Sequence, residues 1–169
     1  MTMTSTTNRA IFASGCFWGT EHFMKQAKGV LTTRVGFSGG HVKNPAYREV
    51  CRGTTGHAEV VEVTWDPAQT DYETLARLFF ETHDPTQVNR QGPDIGTQYR
   101  SAIYYLDEHQ REVAEKLIGM LVDQGLRVAT EVTAAGPVYE AEEYHQDYYA
   151  KTGGSPYCHT YIQRFLTQG

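Results

Sequence analysis

Between Ala58 and Trp65 the residues alternate in character: Val61, Val63 and Trp65 fall on one face of an extended chain, and Val60, Glu62 and Thr64 on the other. A strand with an apolar face is not stable alone; it needs neighbouring strands and a layer packed over that face. Glu59 shares the face of Val61 and Val63, so a carboxyl group is sent into the apolar layer with them. Further strands are predicted at 9–14, 30–37, 99–106 and 129–133, and helices at 16–28, 70–83, 107–124 and 141–151. Gly29 and Gly125 serve as helix stops, and Thr70 with Glu73 forms a capping box ahead of the Leu75, Leu78, Phe79 stripe. The helix from Asp107 buries Val113, Leu117, Met120 and Leu121. Long irregular loops are expected from Gly39 to His57 and from Asn89 to Gln98, and loops of that length in a compact domain are usually functional. Strands and helices mingle with unlike spacings, which predicts an α+β fold, helices layered on a mixed β-sheet, rather than a doubly wound one.

The chain of 169 residues is long enough for one domain with a real core. Residues 1–8 read as a flexible, Thr-rich N-terminus, 9–151 as the domain proper, and 152–169 as a polar, Gly-containing tail. A net charge of −5 argues against nucleic acid as a partner. No apolar run approaches the roughly 18 residues that span a bilayer, and the start lacks the features of a signal peptide, so no membrane association and a cytoplasmic location are expected. A monomer is expected, since no heptad pattern or long apolar strip is visible. Three cysteines, Cys16, Cys51 and Cys158, are too few and too far apart to staple a secreted fold; in a reducing compartment such thiols are either inert or reactive.

Cys16 falls where the first strand turns into a helix. A thiol there lies near unpaired backbone N–H groups and the positive end of the helix dipole, which favour the nucleophilic thiolate; the alternative is a buried structural cysteine. Phe17 and Trp18 follow it, in a turn closed by Gly15 and Gly19, and read as the wall of an apolar pocket or as core filling. Glu59, on an apolar face, is a candidate general acid because desolvation keeps a carboxyl protonated; a slip of one residue in register would make it an ordinary edge glutamate. Tyr47, Asp94 and Tyr99 lie in or just after the long loops and can supply polar hydrogens and a negative charge, though spacing alone does not separate them from other loop residues. The seven histidines show no metal-ligand spacing. His22, His41, His57, His83, His109 and His145 read as surface or satisfied interior groups, while the pair Cys158-His159 stands out, although adjacent residues on an extended tail point apart.

The string Gly15-Cys16-Phe17-Trp18-Gly19-Thr20-Glu21 resembles the active-site segment of the A-type methionine sulfoxide reductases. Val35-Gly36-Phe37-Ser38-Gly39-Gly40 followed by Asn44-Pro45-Ala46-Tyr47, then Gly56-His57-Ala58-Glu59, then Gln91-Gly92-Pro93-Asp94-Ile95-Gly96-Thr97-Gln98-Tyr99-Arg100-Ser101, are similar to that family's blocks in the same order. The likeness runs from about Ala10 to Tyr148.

The resemblance implies a ferredoxin-like two-layer core and reduction of methionine S-sulfoxide, free or in proteins, as a repair of oxidised proteins. It implies Cys16 as nucleophile on sulfur, Phe17 and Trp18 around the substrate methyl, and Glu59 as the acid that protonates the sulfoxide oxygen. Tyr47 and Tyr99 would hydrogen-bond that oxygen, with Asp94 orienting the site. Cys16 would become a sulfenic acid, Cys158 in the tail would condense with it to a disulfide, and thioredoxin would reduce the disulfide. No cofactor is implied, the electrons coming from thioredoxin or from dithiothreitol in vitro. Some members of the family carry two cysteines in a Gly-rich tail; this chain has only Cys158 there, so a two-step relay is not expected, and Cys51 is expected to be a spectator. Two other classes compete: a cysteine hydrolase or acyl transferase with a histidine base, and a redox sensor or binding pocket without turnover. The first predicts an essential histidine, the second binding alone, and the reductase an essential carboxyl and consumption of reducing equivalents.

Overall fold

A computed structural model describes residues 8–156 and 159–165. Strand β1 (Arg9–Ser14) leads into helix α1 (Phe17–Lys25), followed by β2 (Val30–Ser38), the short helix α2 (Tyr47–Cys51), β3 (Ala58–Trp65) and α3 (Tyr72–Glu81). A two-residue hairpin, β4 (Arg90–Gln91) and β5 (Asp94–Ile95), precedes β6 (Ser101–Tyr105). Helix α4 (Glu108–Asp123), β7 (Glu131–Ala134), β8 (Tyr139–Glu140) and α5 (Tyr148–Thr152) complete the order. The main sheet runs β7-β6-β1-β3-β2-β8, antiparallel throughout except for the parallel pair β6 and β7. Its inner strands, with α1 and α3, are two interlocked β-α-β units in the order β6-β1-β3-β2, the ferredoxin-like arrangement.

Period-2 patterning decides which side chains meet the helices. Ala10 and Phe12 of β1, Val35 and Phe37 of β2, Val61, Val63 and Trp65 of β3 and Ile103 of β6 pack with Phe17 and Met24 of α1, Leu75, Phe79 and Phe80 of α3, and Leu117 and Leu121 of α4. Phe12 lies 5.1 Å from Phe79, ring centre to ring centre, and each fully buried ring of this kind contributes roughly 1.5–3 kcal/mol. The opposite face holds a smaller cluster of Ile11, Ala13, Ala58, Val60, Ala102 and Tyr104, so the inner strands are apolar on both sides.

Several expected boundaries move, each for a tertiary reason. The cap of α3 is Asp71, which accepts from the Thr74 amide at 2.8 Å. Thr70 belongs instead to the preceding turn, its amide donating to the Asp66 carbonyl, and Glu73 is engaged by Arg77 and Lys116. The first long loop contains α2, whose Glu49 accepts from the Ala46 amide; the second folds into the β4–β5 hairpin and a 3-10 turn, Thr97–Tyr99, so Tyr99 precedes its strand. The helix expected over 141–151 is broken into a 3-10 turn, Glu143–His145, and α5. Asp147 stands between them in the left-handed region, φ 54°, where its amide donates to Glu21 and its carboxylate takes Lys25. Gln146 acts as a strand partner, its amide group accepting from and donating to the backbone of Val35 at 2.9 Å.

Candidate active site

β1 and β3 are antiparallel with Phe12 opposite Val61, a register that brings Glu59 level with Ser14 at the end of β1. Both therefore reach the point where the chain leaves the sheet for α1. Gly15 makes that turn at φ +94°, and a Cβ there would lie 2.6 Å from Gln91, so the position requires glycine for conformation and for space. Cys16 follows as the N-cap of α1, its carbonyl accepting from the Gly19 and Thr20 amides, and it is a buried thiol. The first helical amide, that of Phe17, donates to Glu59 Oε1 at 3.1 Å. The cysteine and the carboxyl thus share one helix terminus.

Glu59 is buried, and its Oε2 has no hydrogen-bond partner among the described residues. Burial pushes its pKa up to about 8; the Phe17 amide works against this and the charge of Asp94 adds to it. Desolvation wins because one hydrogen bond does not replace the hydration of a carboxylate. At neutral pH the group is a carboxylic acid with a proton to give.

Around these two the aromatic residues form a wall. Phe17 lies 5.6 Å from Phe37 and 6.2 Å from Tyr47, so it is both core and pocket. Trp18 stacks on Tyr148 at 3.8 Å and donates its indole N–H to His145 Nδ1 at 3.1 Å. Tyr47, on α2, faces His145 at 4.3 Å. The Tyr47 and Tyr99 phenols are both held well above their ordinary range, first by burial and next by the charge of Glu59, so both remain protonated donors. Cys16 and Asp94 also act on Tyr99, which places it in the same electrostatic neighbourhood. Asp94 is on the β4–β5 hairpin, which Gln91 ties down by accepting from the Asp84 amide and donating to its carbonyl. Cys16, Phe17, Trp18, Tyr47, Glu59, Asp94 and Tyr99 are thereby brought together.

Cys51 is an exposed residue one turn from Tyr47 on α2, its thiol hydrogen-bonded with the Tyr47 hydroxyl and its pKa raised first by the partial desolvation that this packing brings. Cys158 lies outside the described residues. Sequence reasoning missed His145, Glu142 and Tyr148 as parts of the site. His145 is buried, with Glu142 3.4 Å from its Nε2, and burial lowers its pKa. The only available signal was the ring-rich run from Tyr144 to Tyr149, which reads as a helix face when its break at Asp147 is not visible. His57 and His83 are satisfied interior groups: His57 accepts from the Gly40 amide and donates to the Val42 carbonyl, and His83 bridges the Phe79 carbonyl and Ser101. Among the described residues no helix is long and apolar enough to cross a membrane, and no cluster of three His, Cys, Asp or Glu could hold a metal ion.

The chain is similar to known proteins along nearly its whole length. A family model described as peptide methionine sulfoxide reductase matches residues 8–168. A protein of Methanothermobacter thermautotrophicus named peptide methionine sulfoxide reductase MsrA is 48% identical over 162 residues, covering 94% of each chain. Among solved structures, Mxr1 from Saccharomyces cerevisiae in reduced form superposes with a TM-score of 0.84 at 34% identity, covering 93% of this chain and 92% of that one. Mxr1 in complex with Trx2 gives a TM-score of 0.61 at 24% identity, covering 90% and 88%.

Proposed function

From the site geometry, and because the chain belongs to the peptide methionine sulfoxide reductase family, we infer that it reduces methionine sulfoxide by thiol chemistry centred on Cys16 and Glu59. The observation that carries this reading is the pairing of a cysteine at the N-cap of α1 with a neutral, buried carboxyl bonded to the next amide. A sulfoxide sulfur becomes electrophilic as its oxygen gains a proton, so acid and nucleophile must meet one substrate. Glu59 delivers the proton through the side of the carboxyl whose Oε2 has no hydrogen-bond partner among the described residues. The phenols of Tyr47 and Tyr99 donate to the same oxygen, and Phe17 and Trp18 enclose the methyl group. Asp94 orients the site and, by its charge, helps to keep the Glu59 proton in place.

The Cys16 thiolate attacks sulfur, the sulfur–oxygen bond breaks, and the oxygen is transferred to leave methionine and a Cys16 sulfenic acid. The Cys158 thiol attacks that sulfenic sulfur, water leaves, and a disulfide remains. Two electrons from thioredoxin, or dithiothreitol in vitro, restore both thiols. Trx2 bound to the yeast relative supports a thioredoxin as the partner. The preference for the S epimer follows from the family, and a reducing compartment, the cytoplasm, suits a cycle that starts from free thiols.

The test is turnover of separate S and R epimers of a methionine sulfoxide peptide with dithiothreitol, for wild type, Cys16→Ser, Glu59→Gln and Cys158→Ser. The expected result with dithiothreitol is reduction of the S epimer alone and no activity for Cys16→Ser; with thioredoxin as the only reductant, Cys158→Ser should release one methionine per enzyme and not recycle. Activity surviving in Cys16→Ser, or loss through a histidine substitution with Glu59→Gln fully active, would return the hydrolase or sensor readings.

A further inference from the structure

Trp18, Glu21, His22 and Lys25 recur at helical spacing, so they form one stripe down α1, from the turn that carries Cys16 to the last residue of the helix. At a rise of about 1.5 Å per residue the stripe is about 10 Å long. The facing wall is α5, and the break at Asp147 sets it there: the Asp147 amide donates to Glu21 Oε1 at 2.7 Å, and its carboxylate pairs with Lys25 at 2.6 Å. Two ring pairs join the helices. Trp18 stacks on Tyr148 at 3.8 Å with the planes 10° apart, and His22 meets Tyr149 edge-on at 5.8 Å. Tyr148 and Tyr149 stand at 75° to each other. Along these rings lies a cavity of about 430 Å³, within the range of about 300–1,000 Å³ common for ligand pockets.

The chemistry of the lining selects an occupant. Its accessible surface is mostly apolar, and the charged groups in it are already engaged. Glu21 accepts from the Thr33 hydroxyl at 2.8 Å through one oxygen and from the Asp147 amide through the other, and Lys25 and Asp147 neutralise each other. A charged occupant would lose hydration against groups whose charges are matched, whereas an apolar side chain leaves water for the rings. Position supplies the rest of the argument. Trp18 also walls the methyl pocket beside Cys16, so the groove starts where the sulfoxide side chain ends. An extended polypeptide advances about 3.3 Å per residue, and a stripe of about 10 Å matches about three residues on one side of the reacting methionine. Free methionine sulfoxide has no neighbouring side chain to place there.

We propose that the groove between α1 and α5 is a subsite for oxidised polypeptides, which takes an apolar side chain, aliphatic or aromatic, within three residues of the methionine sulfoxide. This rests on the reading of the Cys16 site as that of a methionine sulfoxide reductase. Because the groove lies beyond Trp18 from Cys16, it adds binding that is equal in the ground and transition states, and its effect falls on KM. A preference of roughly tenfold for a filled over an unfilled groove is the lower end of what an apolar pocket yields, as suits one that stays open to solvent.

The experiment measures kcat/KM with dithiothreitol, by formation of the reduced peptide, for end-blocked peptides that carry the S-sulfoxide of methionine at the centre and glycine elsewhere. One Leu, Phe, Lys or Asp is placed in turn at each of the three positions on either side. At one position or more, Leu or Phe should raise kcat/KM about tenfold over glycine, through KM, while Lys and Asp do not. The ratio of the Leu to the glycine peptide should shrink towards one in His22→Ala and in Tyr149→Ala, which remove a ring from the α1 wall and from the α5 wall. Both peptides meet the same enzyme, so a variant that folds only in part lowers both rates and leaves their ratio intact. Equal rates for every neighbour in the wild type overturn the proposal, as does a preference for Lys or Asp over Leu, or a preference for Leu that both variants keep in full. In each of those cases the glycine peptide is still reduced, and the reductase reading stands. A wild type that reduces none of the peptides, nor the S-sulfoxide of free methionine, removes that reading and the subsite with it.

Discussion

Replacing Glu59 by glutamine removes an ionisable group that the fold keeps neutral, and the stability of the protein should report it. In the unfolded chain this carboxyl titrates at 4.5, whereas in the fold burial carries it to about 8. Below 4.5 both states hold the proton and nothing is lost. As pH rises above 4.5 the unfolded chain releases its proton while the native state keeps it, so the native state loses stability until the pH passes the folded value. Taking 1.36 kcal/mol per pH unit, the native state of the wild type is penalised by roughly 1 kcal/mol at pH 5, roughly 3 at pH 7 and nearly 5 at pH 9. Glutamine can still accept the hydrogen bond from the Phe17 amide through its oxygen and does not titrate. Urea unfolding of both proteins at pH 5, 7 and 9 should therefore give a stability difference that shifts by about 4 kcal/mol in favour of Glu59→Gln across the range. The same variant should lose turnover by a factor of about 10² or more, because the proton donor is gone. A difference that stays constant within about 1 kcal/mol from pH 5 to 9 would mean that Glu59 is not desolvated as its position implies, and the acid role would lose its basis.

Other consequences follow from the same contacts. With Glu59 at about 8, kcat/KM for a sulfoxide peptide should fall tenfold per pH unit above that value, a limb missing from the residual activity of Glu59→Gln. Tyr47→Phe and Tyr99→Phe each remove a phenol kept protonated by burial, and each should lower kcat/KM by roughly tenfold, measured by methionine release. Asp71→Ala removes the cap on the Thr74 amide and should cost about 1 kcal/mol in urea unfolding with activity unchanged. Gly39→Ala forces a side chain at φ +87° onto the Tyr104 ring, 2.8 Å from Cζ, and should cost about 1–3 kcal/mol by the same measurement.

Much of this was legible in the linear chain because it depends on local periodicity. Alternation from Ala58 to Trp65 places Glu59 on the face of Val61 and Val63 whatever the sheet order, since successive side chains of a strand point to opposite sides. The strand, Gly15 and Cys16 in succession likewise specify a thiol at a helix start, because a glycine at φ +94° is what lets the chain turn there. The short strings around Cys16, Tyr47, Glu59, Asp94 and Tyr99 carried the family likeness without any contact being known. What periodicity could not supply was every feature set by a partner remote in sequence. Asp147 leaves the helix because Glu21 and Lys25 bind it from across the fold, and His145 joins the site through the indole of Trp18, 127 positions away. The proton on Glu59 is retained because strands and helices from the whole chain exclude water from it, a desolvation that no local sequence expresses. Gly19 shows the same division: its presence in the sequence is plain, but the reason for it, a histidine ring from the other end of the chain, exists only once the tail is docked.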